Sequence, residues 1–378
     1  MNSKTTHATA PASFDLTTEE GVRAYLAETP FAGTDIEALS GGMANYVFRI
    51  RLSTPHEGKE TLVFKHAKPY TKEYHDLKFD LIRQVYEVEA LRRVRKWLPE
   101  DSIVTVPEVY LFDKDAHAIL MEDLGENTVD LKAFMKAGGP SREMAIQIGT
   151  ALGVFLGKLH HWGKDNAELC DAMKGNEQAK KMTAWAFYGK LISTLTGKDG
   201  VPKLQDPPLK VSAKDLEVIQ TVADVNVKAC HEAEDQFVMG DFWPGNVLVK
   251  LDAQGKLARM FVVDWELAKA GLIAVEIGQF CAEIYLLGRC IPEVCQETAP
   301  LVLEHFFAEY KREYGASEDV ARQTLVRWGT HMVVLGARVN WGEKELSRAV
   351  VLEGARIVVD GQTCSSEELK NSLVAGLM

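Results

Sequence analysis

A chain of 378 residues is long enough for two compact units and a large core. Its net charge of -11 argues against a nucleic-acid surface, and an acidic protein of this kind must gather positive charge locally to hold an anion. Six cysteines without a Cys-x-x-Cys pair argue against a disulfide frame or a zinc site, and no run of about 18 apolar residues is present to span a membrane.

Residues 1–13 are small and polar without an apolar h-region, so they are expected to be a disordered tail and not a secretion signal, in a cytoplasmic protein. Thr17-Thr-Glu-Glu20 has the form of a capping box opening a short helix to about Glu28. Strands are expected over 36–39 and 46–52, joined by the glycine turn Ser40-Gly41-Gly42-Met43-Ala44-Asn45. Glycines at Gly41 and Gly42 would let backbone N–H groups approach phosphate oxygens; the plainer alternative is a hairpin turn.

The β-rich run 61–66 carries one lysine, Lys65. A lysine inside an apolar strand is unusual unless its stem is buried and its ammonium meets an anion, here a nucleotide's α/β-phosphates. The alternative is an edge-strand lysine facing water. Helical spacing over 80–97 predicts a helix whose Glu87, in Arg83-x-x-x-Glu87-x-x-x-Leu91, would hold that lysine in place. A hairpin is expected over 104–121, leaving the sheet through Glu122-Asp-Leu-Gly125, where backbone groups would meet an adenine ring.

Beyond residue 140 the pattern is mainly helical. His160 and His161 read as helix-end histidines satisfied by the helix dipole or a carbonyl, with no third metal ligand nearby. Gly197–Pro208 reads as a mobile or substrate-facing insertion. The most informative stretch is Val238-Met-Gly-Asp-Phe-Trp-Pro-Gly-Asn-Val-Leu-Val249, followed by Phe261-Val-Val-Asp-Trp-Glu266. Phosphoryl transfer from ATP needs one carboxylate to orient and deprotonate a hydroxyl, and an Asn and an Asp to hold magnesium. Asp241 and Asn246 have the Asp-x-x-x-x-Asn spacing of kinase-like catalytic loops, and Asp264 ends the following strand as the second metal ligand.

These segments, with Leu39-Ser-Gly-Gly-Met-Ala-Asn-Tyr-Val-Phe-Arg-Ile50 and Phe64-Lys-His-Ala-Lys-Pro-Tyr70, resemble the aminoglycoside phosphotransferase/choline kinase family of small-molecule kinases over about residues 14–361. The resemblance implies an α+β, protein-kinase-like two-lobed fold. An antiparallel β lobe over 14–122 would carry five strands and one main helix; a helical lobe would follow over 123–378, with ATP in the cleft. It implies Asp241 as base, Asn246, Asp264 and Glu266 as magnesium ligands, and Lys65 with Glu87 as the phosphate-side ion pair. Gly41, Gly42 and Asn45 would cover the phosphates, and Met121, Glu122 and Leu124 would line the adenine pocket. Two departures stand out: Met239 replaces the family's catalytic-loop His, and Glu276 replaces an Asp downstream of the metal motif.

The acceptor implied is a small-molecule hydroxyl, with no nucleic-acid or membrane partner. A hydroxytryptamine-like amine alcohol comes first and a methylthioribose-like thiosugar next; a non-catalytic pseudokinase is the rival from another class. Acidic residues near the cleft would favour a cationic acceptor; Glu283 is a candidate that the sequence alone does not place there.

Overall fold

The computed structural model describes residues 14–40, 42, 44–164, 166–315 and 317–378. The expected tail, Gly41 and Met43 lie outside the described residues. In chain order come α1 (Glu19–Leu26), β1 (Gly33–Ala38), β2 (Asn45–His56), β3 (Lys59–Ala67) and α2 (Arg83–Trp97). Then follow β4 (Val104–Thr105), β5 (Val109–Asp113), β6 (Ala118–Glu122), β7 (Thr128–Asp130), α3 (Leu131–Lys136) and α4 (Arg142–Lys164). Short helices α5 (Ala167–Met173), α6 (Glu177–Thr183) and α7 (Leu191–Leu195) lead to α8 (Ala213–Glu232). Next are β8 (Phe237–Val238), β9 (Val247–Leu251), β10 (Leu257–Val262) and β11 (Lys269–Ala270). The chain ends in α9 (Ile273–Cys290), α10 (Pro292–Cys295), α11 (Thr298–Tyr314), α12 (Glu318–Leu335), α13 (Lys344–Thr363) and α14 (Ser366–Leu369). Among the described residues no helix is long and apolar enough to cross a membrane.

The chain divides into two compact units. One takes the described residues up to Gln84 together with Glu108–Gly125; the other takes Val85–Pro107 with Glu126–Met378. The first is an antiparallel sheet in the order β1-β2-β3-β6-β5 with α1 packed on it. Alternation puts Phe48, Ile50, Leu62, Phe64 and Leu120 on the face that meets Val22 and Leu26 of α1. The cap of α1 is Thr18, whose Oγ1 accepts the Gly21 N–H at 3.1 Å. Thr17 is not the cap; its hydroxyl donates to Asp15 at 2.7 Å.

The run 104–112 does not form one strand. Pro107 has no N–H to continue a ladder, and the run splits around it. Val104 and Thr105 pair in parallel with Met260 and Phe261 of the second unit, while β5 returns to the first sheet. Arg95 of α2 bonds Thr105 Oγ1 and the Val106 carbonyl, so most of the helix belongs with the second unit. The 197–208 segment also departs from expectation. Val201 and Leu204 are buried in the core with Leu191, Ile219 and Val333, and Lys203 Nζ donates to the Gly342 carbonyl at 2.7 Å.

Helices dominate the second unit. Helix α4 buries Ile148, Leu152, Phe155, Leu156 and Leu159, and its Gly149, Gly153 and Gly157 form a seam against α11. A Cβ on Gly153 would lie 2.4 Å from the Phe306 carbonyl oxygen. Alanine gains about 1 kcal/mol over glycine in a helix interior, but forcing a methyl into packed backbone costs about 1–3 kcal/mol. Gly153→Ala is therefore expected to lower stability in urea denaturation, by up to about 2 kcal/mol. A variant as stable as the parent would show that α4 and α11 are not packed this closely.

Candidate active site

The first unit carries one group of the residues singled out from sequence. Strand β3 lies between β2 and β6, with Lys65 opposite Val47 and Ile119, so it is a central-strand lysine, 6% exposed, and not an edge residue facing water. The left-handed backbone at Gly42 (φ 77°) suits glycine, and nothing lies within 4 Å of where its Cβ would be. Asn45, buried at the start of β2, accepts an Arg83 N–H at 3.1 Å. Met121, Glu122 and Leu124 are buried where β6 ends. Lys59 pairs with Glu122 at 3.2 Å, and Arg49 holds the intervening Asp123 at 2.7 Å.

The second unit gathers the rest. After β8 the chain turns through Gly240 and Asp241 into a 3-10 turn (Pro244–Asn246) and then β9. Asn246 Nδ2 donates to the Asp241 carbonyl and to Asp241 Oδ2, both at 3.0 Å. Gln279 of α9 donates to Asp241 Oδ1 at 2.6 Å. Both oxygens of the half-buried aspartate are thus oriented by amide donors. Desolvation pushes the carboxyl up to about 6, with Asp264's charge adding and the Gln279 and Asn246 bonds opposing.

Asp264 and Glu266 flank Trp265, which is fully buried, donates to the Val262 carbonyl at 2.9 Å and stacks on Phe237. The indole fixes the chain while its neighbours face elsewhere. Asp264 has φ 66°, a left-handed conformation that aspartate tolerates better than most residues and that recurs at functional sites. The Val263 N–H donates to the Asn246 carbonyl at 2.9 Å, tying the two segments together. One carboxylate oxygen from each of Glu87, Asp264 and Glu266 lies within 4.8 Å of the others. Three hard oxygen donors suit Mg²⁺ or a similar divalent ion, so the residues present fit such a metal. Glu87, expected beside Lys65, is a member of this acidic group.

Several site residues are not apparent from sequence spacing. Glu276, in the first turn of α9, accepts the Gly240 N–H through Oε1 and bonds His160 Nε2 through Oε2 at 2.7 Å. His160 Nδ1 lies 2.8 Å from the Tyr310 hydroxyl. One neutral tautomer satisfies this chain, with Nε2–H donating to Glu276 and Nδ1 accepting from Tyr310. His160 is therefore not a helix-end histidine on a carbonyl: it carries α4 and α11 to the loop through Glu276. Gly240 has φ 92°, and a Cβ there would fall 2.1 Å from the Leu267 carbonyl oxygen, so only glycine fits.

Beneath the loop, Lys269 is buried and donates to the Leu267 carbonyl at 3.2 Å. Desolvation lowers its pKa, opposed by the nearby charges of Glu276 and Asp241. A lone lysine in an apolar run, the signal that marks Lys65, also marks Lys269. Arg327 of α12 is fully buried over the Phe187 ring at 3.7 Å, with Nη2 donating to Gln279 Oε1 at 3.5 Å. Its Nε and Nη1 have no hydrogen-bond partner among the described residues.

Glu276→Ala strands the Gly240 N–H and His160 Nε2 inside the protein. Each unsatisfied buried group costs about 1–3 kcal/mol, so a loss of that order or more is expected in chemical denaturation. An unchanged midpoint would mean that Glu276 does not brace the loop.

Comparison with known proteins places this geometry. The sequence profile of the phosphotransferase enzyme family matches residues 35–321. The 4-hydroxytryptamine kinase of Psilocybe cubensis is 30% identical over 345 residues, covering 88% of this chain and 90% of that protein. The methylthioribose kinase of Geobacillus sp. (strain WCH70) is 25% identical over 329 residues, covering 79% and 74%. Among solved structures, amicoumacin kinase hAmiN in complex with AMP-PNP, Ca²⁺ and Ami has a TM-score of 0.51 at 14% identity, covering 91% of this chain and 94% of that one. That likeness shows the kinase-like fold expected from the sequence. The profile match takes in most of the chain, Asp241, Asn246, Asp264 and Glu266 included: this protein belongs to the phosphotransferase enzyme family.

Proposed function

We propose that this chain is an ATP- and Mg²⁺-dependent small-molecule kinase that transfers the γ-phosphoryl group to a hydroxyl, with a hydroxytryptamine-like amine alcohol as the favoured acceptor. One observation carries the reading: a carboxylate, Asp241, oriented on both oxygens by Asn246 and Gln279, stands beside the acidic group of Glu87, Asp264 and Glu266. The acceptor preference is supported by the 30% identity with a protein named 4-hydroxytryptamine kinase across most of both chains.

In this reading the acceptor hydroxyl donates its hydrogen bond to Asp241. As its oxygen bonds the γ-phosphorus, the bond from that phosphorus to the β–γ bridging oxygen breaks, ADP leaves, and the proton passes to Asp241. Most of the catalysis is positioning, which the Glu276–Gly240 bond and the Asn246 and Gln279 donors supply. Asn246, Asp264 and Glu266 would hold Mg²⁺, with Glu87 beside them. When bound, the metal neutralises charge on the transferring phosphoryl group. Lys65 would meet the α/β-phosphates, Gly42 and Asn45 would cover them, and Met121, Glu122 and Leu124 would line the adenine site. Met239 is buried and carries no group the chemistry needs; the loop has Glu276 and Lys269 for support.

A thiosugar acceptor is the second reading. It is favoured by the two unpartnered Arg327 donors, which suit an oxygen-rich ligand, and by the likeness to a methylthioribose kinase.

An ATP-consumption assay with Mg²⁺ across hydroxytryptamines, methylthioribose, choline, ethanolamine and aminoglycosides tests the proposal, with a phosphorylated product expected from one class. Asp241→Asn is expected to lower kcat by about 10²–10⁴-fold while nucleotide affinity holds. Turnover near that of the parent would remove Asp241 as the base. Chelation by EDTA is expected to abolish turnover and Mg²⁺ to restore it; turnover that survives chelation would sink the metal assignment.

A further inference from the structure

Next to Asp241 the second unit contains a cage of the kind that binds organic cations. Trp243 lies in the catalytic loop two residues after Asp241, and Trp341 follows α12. Glu283 lies one helical turn along α9 from Gln279, which itself bonds Asp241, and neighbours at that spacing are about 5–6 Å apart. Two indole faces and a buried carboxylate are what an ammonium ligand seeks. The cage is already filled. Lys132 Nζ sits 4.2 Å from the Trp341 ring centroid, 5.2 Å from that of Trp243 and 2.7 Å from Glu283 Oε2. His331 Nε2 bonds the other oxygen of Glu283, also at 2.7 Å.

We infer that Lys132 is an internal stand-in for a cationic ligand: it closes the cage, so the acceptor is not selected through a positive charge next to Asp241, and the group it presents there is neutral. The inference rests on the reading of Asp241 as the acceptor-side base. It reverses the sequence-level expectation for Glu283, whose charge is used internally.

The electrostatics agree. Burial opposes a charge on Glu283, yet its bonds to His331 and Lys132 and the Lys132 charge hold its carboxyl below the ordinary range, while burial lowers the pKa of His331 itself. A second cation would have to displace Lys132 from one buried partner and two rings. What remains unsatisfied around the cage is neutral hydrogen-bonding capacity. Trp341 Nε1 and His331 Nδ1 are buried without a partner among the described residues. Trp341 Nε1 donates and suits a hydroxyl or ether oxygen, while His331 Nδ1, its Nε2–H given to Glu283, accepts and suits a hydroxyl's O–H. An amine alcohol remains admissible if its nitrogen lies away from the cage.

The test uses Lys132→Ala, which removes the equivalent of propylammonium. Propylammonium chloride is titrated against this variant, with 1-propanol as the neutral control, following melting temperature and tryptophan fluorescence. Propylammonium is expected to raise the variant's melting temperature by several degrees and change its fluorescence saturably. Propanol should do neither. The parent protein should respond to neither, and Lys132→Ala/Glu283→Gln should lose at least about tenfold in propylammonium affinity. No response in Lys132→Ala, or an equal response to propanol, would overturn the inference.

A parallel measurement does not depend on that variant folding. In the parent, tetramethylammonium should give no saturable fluorescence change, and saturable quenching would mean that the cage is open. Neither assay requires turnover. A kinase reading that fails therefore shows as silence across the acceptor panel with cation rescue intact, while a failed inference shows as lost rescue with turnover intact.

Discussion

The carboxylate of Glu276 is the constraint on which the rest of the site depends. Burying an ionised group costs several kcal/mol unless its partners replace water. Here they do so from separate parts of the chain: the Gly240 N–H from the loop and His160 from α4, itself backed by Tyr310 from α11. The pairing would be wasteful as mere stabilisation, since an apolar replacement of equal volume often serves as well. As a positioning device it has a clear use. It fixes the backbone one residue before Asp241, in a conformation that only glycine adopts without strain, while Lys269 lies beneath the same turn. The aspartate's geometry is thus set by the packing of three helices and not by the loop alone.

That dependence explains what could be read from sequence. That Asp241, Asn246 and Asp264 belong together was legible because they lie close along the chain, in a turn and at the end of the next strand. Residues separated in sequence were not. Glu276 is visible as a departure from a family pattern, but its bond to Gly240 becomes evident only when α9 is placed. His160 lies 116 residues from Glu276 and reads in sequence as a helix-end histidine, with nothing to say that it meets a carboxylate. Lys269 carried a usable signal, a lone lysine among apolar residues, which spacing did not connect to the loop.

The fold followed the same rule. Alternation and the glycine turn marked the strands at 36–39 and 46–52, the resemblance implied an antiparallel sheet, and 3.6-residue spacing placed α2 close to its observed limits. The failures came where a distant partner decided the outcome. Val104 and Thr105 look like the start of a hairpin strand, but Pro107 interrupts the ladder and Met260 supplies another partner. The 197–208 segment reads as a mobile or substrate-facing insertion, yet two apolar side chains, Val201 and Leu204, anchor it in the helical core. Composition averages over a segment, whereas burial is decided residue by residue.

Acceptor choice is the property least accessible from sequence, and the reason is electrostatic. An acidic residue near a kinase site suggests a cationic substrate only while its charge remains available. Glu283 has that charge taken up by a lysine 151 residues away in sequence, while a histidine on another helix bonds its second oxygen. A formal charge count near Asp241 would therefore overstate the preference for a cation. The quantity that matters is the charge left after internal pairing. In the Glu283 cage that remainder is close to neutral, with the unpartnered donors of Trp341 and Arg327 nearby, so selectivity falls to hydrogen bonding and ring packing. In the proposed reading the loop fixes the reaction while α9, α12 and α3 determine what is presented to it.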